Sequence, residues 1–470
     1  MRRMRFYSML FAVVMLGITA GCRTYSERIT DYRRAYAMGD MPNATREAQA
    51  LVASEAYDDQ ARDALPVLLE AGSALRTAGQ IRESAAYFTR AERIYDYWQQ
   101  QAKLSVSRET TALLTTPAKL PYRGSGVDVL MLHVYQALNT LQLGDIAGAR
   151  QPLVRMDLHQ KAVVAENAKR IAEMRQEVAA SENQREIALA EESERTKKNT
   201  EALLEKLPDT RGYELYVNPF AEYLYAFYHL YAGQDEADRE MARFRMQRAL
   251  AMAPQNTAIR LAAERLEAGA PAPSGVYLFH EDGLSAYRKE FQLFFPIFAA
   301  DTVSLMGLAL PQLVEDSNRA GFATLQGGGQ AARAELVGDV DAMVAQEYKN
   351  DLPGMMTRAI ASATAKAVAA YAANYAAQQS GNGLVMLGTL VTTAAYQIGS
   401  NVADTRSWNS LPKQIGVSRI DLPANREVTL TLNGRTLSTL ILPKEGDVWV
   451  VHLRTMHYGS QPAVQLFRIR

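Results

Sequence analysis

The stretch LLEAGSALRTAGQIRESAAYFTRA, residues 68–91, decides the fold of the first half of this 470-residue chain. Apolar residues recur every three or four positions on both sides of Gly79, which is the period of an α-helix. Ala71 and Gly72 before the turn, and Ala91 after it, are small enough to let two helices approach closely. The stretch therefore predicts two α-helices packed against each other as a hairpin.

Two later stretches carry a related pattern. They cover residues 130–149, with a turn at Gly144, and residues 219–254. The recurrence is similar to the tetratricopeptide repeat, a helical hairpin of about 34 residues that buries its apolar seam against the next repeat. The match is degenerate, because Pro152 falls inside the second helix of the middle unit. An unrelated helical bundle is the alternative, and both interpretations predict an interaction scaffold.

The first 22 residues have the layout of a secretory signal peptide. Three arginines precede an apolar run over residues 6–18, and Thr19, Ala20 and Gly21 lead to Cys22, the only cysteine of the chain. An apolar run of about thirteen residues is too short to span a hydrocarbon core, which takes roughly twenty. We therefore expect residues 1–21 to be removed as a signal peptide.

Small residues directly before a single cysteine resemble the bacterial lipobox. In that motif the thiol receives a diacylglycerol, the chain is cleaved before the cysteine, and the new amino group is acylated. The resemblance implies cleavage between Gly21 and Cys22 and lipidation of Cys22, so that acyl chains such as palmitate hold the protein on a membrane. Thr19 departs from the usual leucine, and Arg23 implies sorting to the periplasmic face of the outer membrane. A chance cysteine behind an ordinary signal peptide is the alternative.

The charge balance argues against nucleic acid as a partner. The full chain has 51 basic and 51 acidic residues, and removal of residues 1–21 takes away three arginines, which leaves 48 basic residues. A nearly neutral chain has no overall positive field to attract a phosphate backbone. Lipidation of the only cysteine would leave none for a disulfide or a thiolate metal site.

Changes in composition divide the mature chain in two. Residues 22–267 are rich in Ala, Leu, Arg, Glu and Gln at helical spacing, and the run AGAPAPS at residues 268–274 is typical of a linker. Residues 275–470 mix helical and β-like patterns. We predict a multidomain α+β protein that is mainly α, with an N-terminal tetratricopeptide-like domain and a C-terminal mixed domain.

A polar stretch at about residues 160–206 separates the second and third helical units. Opposite charges one helical turn apart, such as Glu166 with Arg170, support an exposed helix. Apolar positions begin a coiled-coil seam but are not sustained over three or four heptads. The stretch predicts a long helix or a helical hairpin with one solvated face.

Alanine-rich helices are expected at about residues 355–400 of the C-terminal half. A shorter helix over residues 340–348 is expected to end before Pro353, and a second begins at Met355. The uncharged segment at residues 384–398 is too short to span a membrane, so a buried core helix is favoured over a membrane contact.

The end of the chain, residues 415–470, has the pattern of β-strands. Its apolar stretches either alternate apolar with polar residues or contain β-branched residues. Between two of them, Asn433-Gly434 is a strong hairpin signal. Another strand is expected upstream, at residues 276–280. The pattern predicts a small antiparallel sheet.

The contiguous residues His280, Glu281 and Asp282 are the nearest approach to a catalytic or metal-binding group. Consecutive strand residues point to opposite faces, and no other histidine lies at ligand spacing in the sequence. A polar cluster beside a turn is therefore favoured over an acid-base or metal site. We predict no catalytic, cofactor-binding or metal-ligating residue and no enzyme activity.

The chain as a whole resembles a family of uncharacterised bacterial lipoproteins with tetratricopeptide-like helices. The resemblance covers nearly the entire mature chain and implies a role in envelope assembly. Asp404, Arg406 and Trp408 are the first choice for a family-specific patch, to which no role is assigned. The segments that carry the resemblance are LMLHVYQALNTLQLGDIAGAR at 130–150, NPFAEYLYAFYHLYAG at 218–233, ELVGDVDAMVAQEY at 335–348 and ADTRSWNSLPKQI at 403–415.

Three functions follow from these features. The first is a lipid-anchored, periplasm-facing scaffold that binds envelope proteins in the groove of its helical repeats. The second is a structural subunit of an outer-membrane complex that self-associates through its alanine-rich helices. An enzyme is the third and the least supported. The predicted partners are unidentified envelope proteins, the membrane through the N-terminal lipid, and a second copy of the chain, without a cofactor.

Overall fold

A computed structural model describes six ranges of the chain, which fold as a mixed α+β protein dominated by helices. Cys22 and the predicted helix at residues 384–398 lie outside these ranges. The described residues are 24–56, 58–104, 117–213, 217–299, 302–379 and 402–470.

The helices fill most of the chain before residue 268, and one long helix follows later. They are α1 (Tyr25–Arg28), α2 (Thr30–Met38), α3 (Met41–Glu55), α4 (Ala64–Thr77), α5 (Ile81–Leu104), a 3-10 turn (Pro117–Lys119), α6 (Gly126–Gln142), α7 (Arg150–Ala179), α8 (Gln184–Glu192), α9 (Glu194–Leu204), α10 (Pro219–Ala232), α11 (Glu236–Met252), α12 (Thr257–Glu267) and α13 (Val340–Gln379).

Within the described ranges, every strand follows residue 274. They are β1 (Gly275–Asp282), β2 (Tyr287–Ala299), β3 (Thr302–Val314), β4 (Thr324–Gly327), β5 (Gln330–Arg333), β6 (Glu335–Asp339), β7 (Gln414–Ile420), β8 (Glu427–Leu432), β9 (Arg435–Ile441), β10 (Val448–Thr455) and β11 (Ala463–Arg468).

The strands form three sheets, where the sequence predicted one small antiparallel sheet. The largest has the order β11-β10-β1-β7-β6, and its central pair, β1 and β10, is parallel, with Val276 opposite Trp449. The others are the four-stranded sheet β5-β4-β8-β9 and the hairpin β2-β3. The single-sheet prediction was wrong because β1, far upstream, pairs between β7 and β10. The hairpin at Asn433-Gly434 is confirmed, with φ of 52° and 76°.

Consecutive helices pack in pairs joined by short turns: α4 with α5, α6 with α7, and α10 with α11. The helical hairpin predicted for residues 68–91 is confirmed. A Cβ on Gly72 would lie 2.4 Å from Cε1 of Phe88, so only glycine allows this approach of α4 and α5. Pro152, which weakened the repeat pattern, lies in the first turn of α7, where a missing N–H costs no intrahelical bond.

The first helix of each pair lies between the outer helix and the five-stranded sheet. Every residue of α4 is buried, as are nearly all residues of α10. The ring of Phe227 in α10 packs at 5.3 Å from that of Phe279 in β1. One apolar core therefore continues across residues 268–274, which form neither helix nor strand. The inner face of the helical pairs is covered by the protein's own sheet.

The polar stretch at residues 160–206 consists of three helices. Helix α7 continues to Ala179, a turn over residues 180–183 follows, and α8 and α9 meet at Ser193. The side chain of Ser193 accepts a hydrogen bond from the backbone N–H of Thr196 and caps α9. The stretch is thus not one continuous helix.

Helix α13 runs without interruption from Val340 to Gln379, so the predicted break at Pro353 was wrong. Proline lacks the N–H that would bond to Lys349 and normally kinks or ends a helix. Leu352 and Met356 on either side are buried in a second core, and this packing holds the helix together.

The second core belongs to a smaller part of the fold, which we call the hairpin unit: β2, β3, α8, α9 and α13. Each strand of the hairpin is 13 residues long. One face of the hairpin packs on the helices. The buried residues include Phe295, Ile297, Leu308 and Leu310 from the hairpin, Ile187 and Ala190 from α8, and Tyr348, Met356 and Ile360 from α13.

A buried carboxylate joins the hairpin unit to the helical layer. Glu347 of α13 accepts hydrogen bonds from the first N–H groups of α6, at 2.5 Å from Gly126 N and 3.4 Å from Val127 N. These N–H groups have no partner within their own helix. Burial raises the pKa of Glu347 to about 7, because removal from water disfavours the charged carboxylate, and repulsion from Asp351 and Asp128 adds to the shift.

Candidate functional site

The predicted lipidation site leads directly into the folded body. The predicted cleavage position, Gly21 and Cys22, lies outside the described residues, and the described chain begins at Thr24, which caps α1 through a reciprocal pair of hydrogen bonds with Glu27. Arg28 of α1 pairs with Asp63, which is buried. Only Cys22 and Arg23 would therefore separate the acyl chains from a fixed helix.

The described ranges offer neither a membrane-spanning helix nor a metal site. No helix in them is long and apolar enough to cross a membrane. In the same ranges, no group of three or more His, Cys, Asp or Glu side chains could hold a metal ion.

The residues His280, Glu281 and Asp282 lie at the end of β1, where every residue is buried. They end the strand directly before the bend at Gly283, as the favoured interpretation has it, but they are buried rather than exposed. Alternation along the strand directs Glu281 to the helical layer and the other two toward the four-stranded sheet.

Glu281 is the centre of a set of buried charges that we call the inter-layer cluster: Arg76, Tyr135, Glu281, His452 and Arg454. Its carboxylate lies 3.1 Å from Nε2 of His452, accepts a 3.1 Å hydrogen bond from the Tyr135 hydroxyl, and lies 3.7 Å from Nε of Arg454. The Arg76 guanidinium reaches from α4 to within 3.3 Å of the same imidazole. The cluster connects two helices to two strands.

Burial and the neighbouring charges together set the protonation states of the side chains in this cluster. Burial alone would raise the pKa of Glu281, but attraction to His452, Arg76 and Arg454 outweighs it and lowers the pKa to about 2. Burial lowers the pKa of His452, although Glu281 opposes that shift. Glu281 is therefore the anion that compensates two buried arginines.

The other two polar residues of this stretch form a separate hydrogen-bonded chain. The backbone N–H of Ala323 donates to Nδ1 of His280 at 3.1 Å, which leaves the proton on Nε2 to be donated to the Thr455 hydroxyl at 2.8 Å. That hydroxyl donates to Asp282 at 2.8 Å. Burial lowers the pKa of His280 to about 4, so the imidazole is neutral at pH 7.

Residues 402–413, which we call the crossing segment, contain the patch singled out in the sequence. Trp408 is buried and donates from Nε1 to the Ser73 hydroxyl at 2.9 Å, and its ring packs at 5.7 Å from Phe88 and 5.5 Å from Tyr135. These partners lie in α4, α5 and α6. The patch therefore packs on the helical pairs.

Two further contacts hold the crossing segment in place. Glu70 of α4 accepts backbone hydrogen bonds from Asn409 at 2.6 Å and Ser410 at 3.1 Å, and burial raises the pKa of its carboxyl. Arg406 donates to the carbonyl of Leu120 at 2.7 Å and pairs with Asp63 at 3.3 Å. The polar groups of the crossing segment are thus bonded to groups in or next to the helical pairs. Their role in this geometry is to hold the segment on the helices.

A different surface is exposed on the outer helices. Val154 and Leu158 of α7 are 39% and 60% exposed, and Phe244 of α11 is 55% exposed. An ion pair between Asp157 and Arg245, at 2.7 Å, links the same two helices. We call these three apolar residues the outer helical surface.

Arg245 fixes the geometry beneath that surface. Its guanidinium also pairs with Glu222 of α10 at 3.0 Å, and Gln160 of α7 donates to the same carboxylate at 2.7 Å. Three helices are thus tied together below the exposed residues. No local sequence pattern marks this site, because its partners lie far apart along the chain.

Comparison with known proteins adds no relative: the chain matches no family model, no curated protein and no solved structure.

Proposed function

We propose that this protein is a lipid-anchored scaffold of the bacterial cell envelope, attached through Cys22 to the outer membrane and facing the periplasm. The layout of residues 1–22 supports the anchor. The observation that carries the scaffold function is the outer helical surface, where exposed apolar side chains lie on two helices that buried ion pairs hold rigidly. Exposed apolar residues on a rigid surface are typical of protein-binding sites.

The binding surface that we propose differs from the groove of the helical repeats that the sequence analysis expected. A peptide in the groove of the helical pairs would compete with the five-stranded sheet, which covers that face as part of one core. We place the partner on the outward helices, where Leu158 and Phe244 offer apolar anchors beside charged residues. The pairs α4/α5, α6/α7 and α10/α11 serve in this proposal as degenerate tetratricopeptide-like repeats.

Crosslinking in the native envelope followed by affinity capture tests this function. We expect the wild-type lipoprotein to recover envelope proteins, and expect Leu158→Glu with Phe244→Glu to lower that recovery about tenfold or more, because interface anchors each contribute about 2 kcal/mol. Cys22→Ala is expected to lose the same proteins by losing the membrane. The matched control is Ile441→Glu, at a residue of β9 that is 78% exposed.

Two results would count against the scaffold. Recovery of nothing but copies of this chain would replace it with a self-assembling structural role. Equal recovery by the wild type and the double variant would show that the outer helical surface is not the binding site.

Self-assembly is the second candidate, and one observation favours it. The last turns of α13 are rich in alanine and expose Tyr371 and Tyr375, which are 42% and 56% accessible. Alanine-rich helices allow close packing of a second helix, and tyrosine is common in protein interfaces. This end of α13 would be the contact between copies.

A further inference from the structure

The β2-β3 hairpin has a second apolar face, opposite the one packed on the helices. Strand alternation and pairing place Phe294 and Pro296 of β2 on the same face as Val303 and Leu305 of β3, with Leu305 opposite Pro296. Phe298 follows on β2 but packs in part against the second core. Phe294, Val303 and Leu305 are 49%, 62% and 55% exposed. We call Phe294, Pro296, Val303 and Leu305 the outer hairpin face.

The surrounding sequence has almost no charge. Between residues 291 and 314, Asp301 is the only charged residue, and four of the residues are phenylalanine. Protein interfaces are usually bordered by polar groups and contain about one hydrogen bond per 100–200 Å². An aromatic and aliphatic face whose nearest charged residue on β2 is Glu290, four positions before Phe294, fits the acyl boundary of a lipid bilayer better.

The start of the described chain is connected to this hairpin through the crossing segment. If Cys22 is acylated, only Arg23 lies between it and Thr24, so its Cα can be at most about 7 Å from that of Thr24. The helix that follows is fixed, because Asp63 pairs with both Arg28 of α1 and Arg406 of the crossing segment. The membrane surface must therefore pass close to the start of the crossing segment.

The crossing segment in turn leads to the hairpin. The N–H of Ala403 donates to the Glu290 carboxylate at 2.9 Å. Glu290 and Phe294 are four positions apart on β2, so both side chains lie on one face, about 14 Å apart along the strand. The acylated end and the outer hairpin face are thus joined by a short series of fixed contacts.

We propose that the outer hairpin face inserts into the surface of the membrane that holds the acyl chains of Cys22, as a second, non-covalent lipid contact. This proposal rests on the lipid anchor of the proposed function. It gives the protein a defined orientation, in which the outer helical surface remains available to a protein partner.

Vesicle flotation of the unlipidated mature chain, residues 22–470 with Cys22→Ala, tests the hairpin alone. With vesicles of phosphatidylethanolamine and phosphatidylglycerol, we expect the chain to float, and Phe294→Glu with Leu305→Glu to lower the bound fraction about tenfold, because charges oppose insertion. Ile441→Glu, also at an exposed apolar residue, should bind like the parent chain. Circular dichroism verifies that each variant is folded.

Three results would overturn the proposal. The unlipidated chain could fail to float, or the double variant could float like the parent chain. The third result is a dimer in sedimentation that does not bind vesicles and that Phe294→Glu with Leu305→Glu converts to a monomer. It would show that a second copy of the chain covers the outer hairpin face. The absence of acylation at Cys22 in cells would refute the anchor but leave the flotation result unchanged, so the two failures are distinguishable.

Discussion

Replacement of Glu281 by alanine is expected to lower the free energy of unfolding by about 3–5 kcal/mol. The carboxylate is 3% exposed and lies beside the buried Arg76, His452 and Arg454. Its removal leaves two arginines without an anion in a region that water does not reach, which is the costly way to break a buried ion pair. Urea unfolding followed by circular dichroism measures the change.

The pH dependence supplies a second measurement for the same residue. Because the pKa of Glu281 falls to about 2 in the folded protein, its stabilisation is present above the unfolded value, 4.5, and is lost as the pH decreases from 4.5 toward 2. The difference between wild type and Glu281→Gln should therefore shrink over that range. Glu445→Gln, at a side chain that is 93% exposed, is the control. An alanine variant as stable as that control would contradict the inter-layer cluster.

Replacement of Trp408 by alanine is expected to cost about 3–5 kcal/mol, the usual range for deleting a large buried ring. The indole is 2% exposed and packs against the rings of Phe88 and Tyr135, so its loss leaves a cavity between the crossing segment and three helices. It also leaves the Ser73 hydroxyl without one partner. The same urea titration measures this effect.

Trp408→Phe separates the contribution of the buried ring from that of the hydrogen bond to Ser73. Phenylalanine retains part of the ring volume but cannot donate to Ser73, so the loss should lie between zero and that of alanine. Tyr458→Ala removes a ring that is 69% exposed and should change stability by no more than about 0.5 kcal/mol. Unchanged stability of Trp408→Ala would mean that the crossing segment is not docked on the helices.

Local chemistry explains which features the sequence could predict. Asn433-Gly434 specifies its turn through two residues that accept positive φ, and Gly72 allows a close helix contact through its own missing side chain. Pro353 misled the prediction, because the local preference to break a helix is weaker here than the burial of Leu352 and Met356. Tertiary packing decided that case.

Long-range contacts explain what the sequence did not predict. Glu281 and His452 are 171 residues apart, and Glu70 and Ser410 are 340 apart. Neither spacing leaves a pattern in a single sequence, so the burial of the polar residues at the end of β1 and their long-range partners could not be predicted.

One signal for the covered groove was present in the sequence. Residues 64–75, ALPVLLEAGSAL, contain a single charged residue, Glu70, and are otherwise apolar or small around the whole helix. A helix without a polar face is buried on all sides. This composition indicates that α4 is packed between two layers rather than lining an open groove.

The central claim is that the chain is a lipid-anchored scaffold, and mass spectrometry of the N-terminal peptide of protein purified from its own membranes tests the anchor most directly. The account predicts a peptide that begins at Cys22 and carries a diacylglycerol on sulfur and an acyl chain on the amino group. An unmodified Cys22, in a chain that is either uncleaved or cleaved elsewhere, would contradict it.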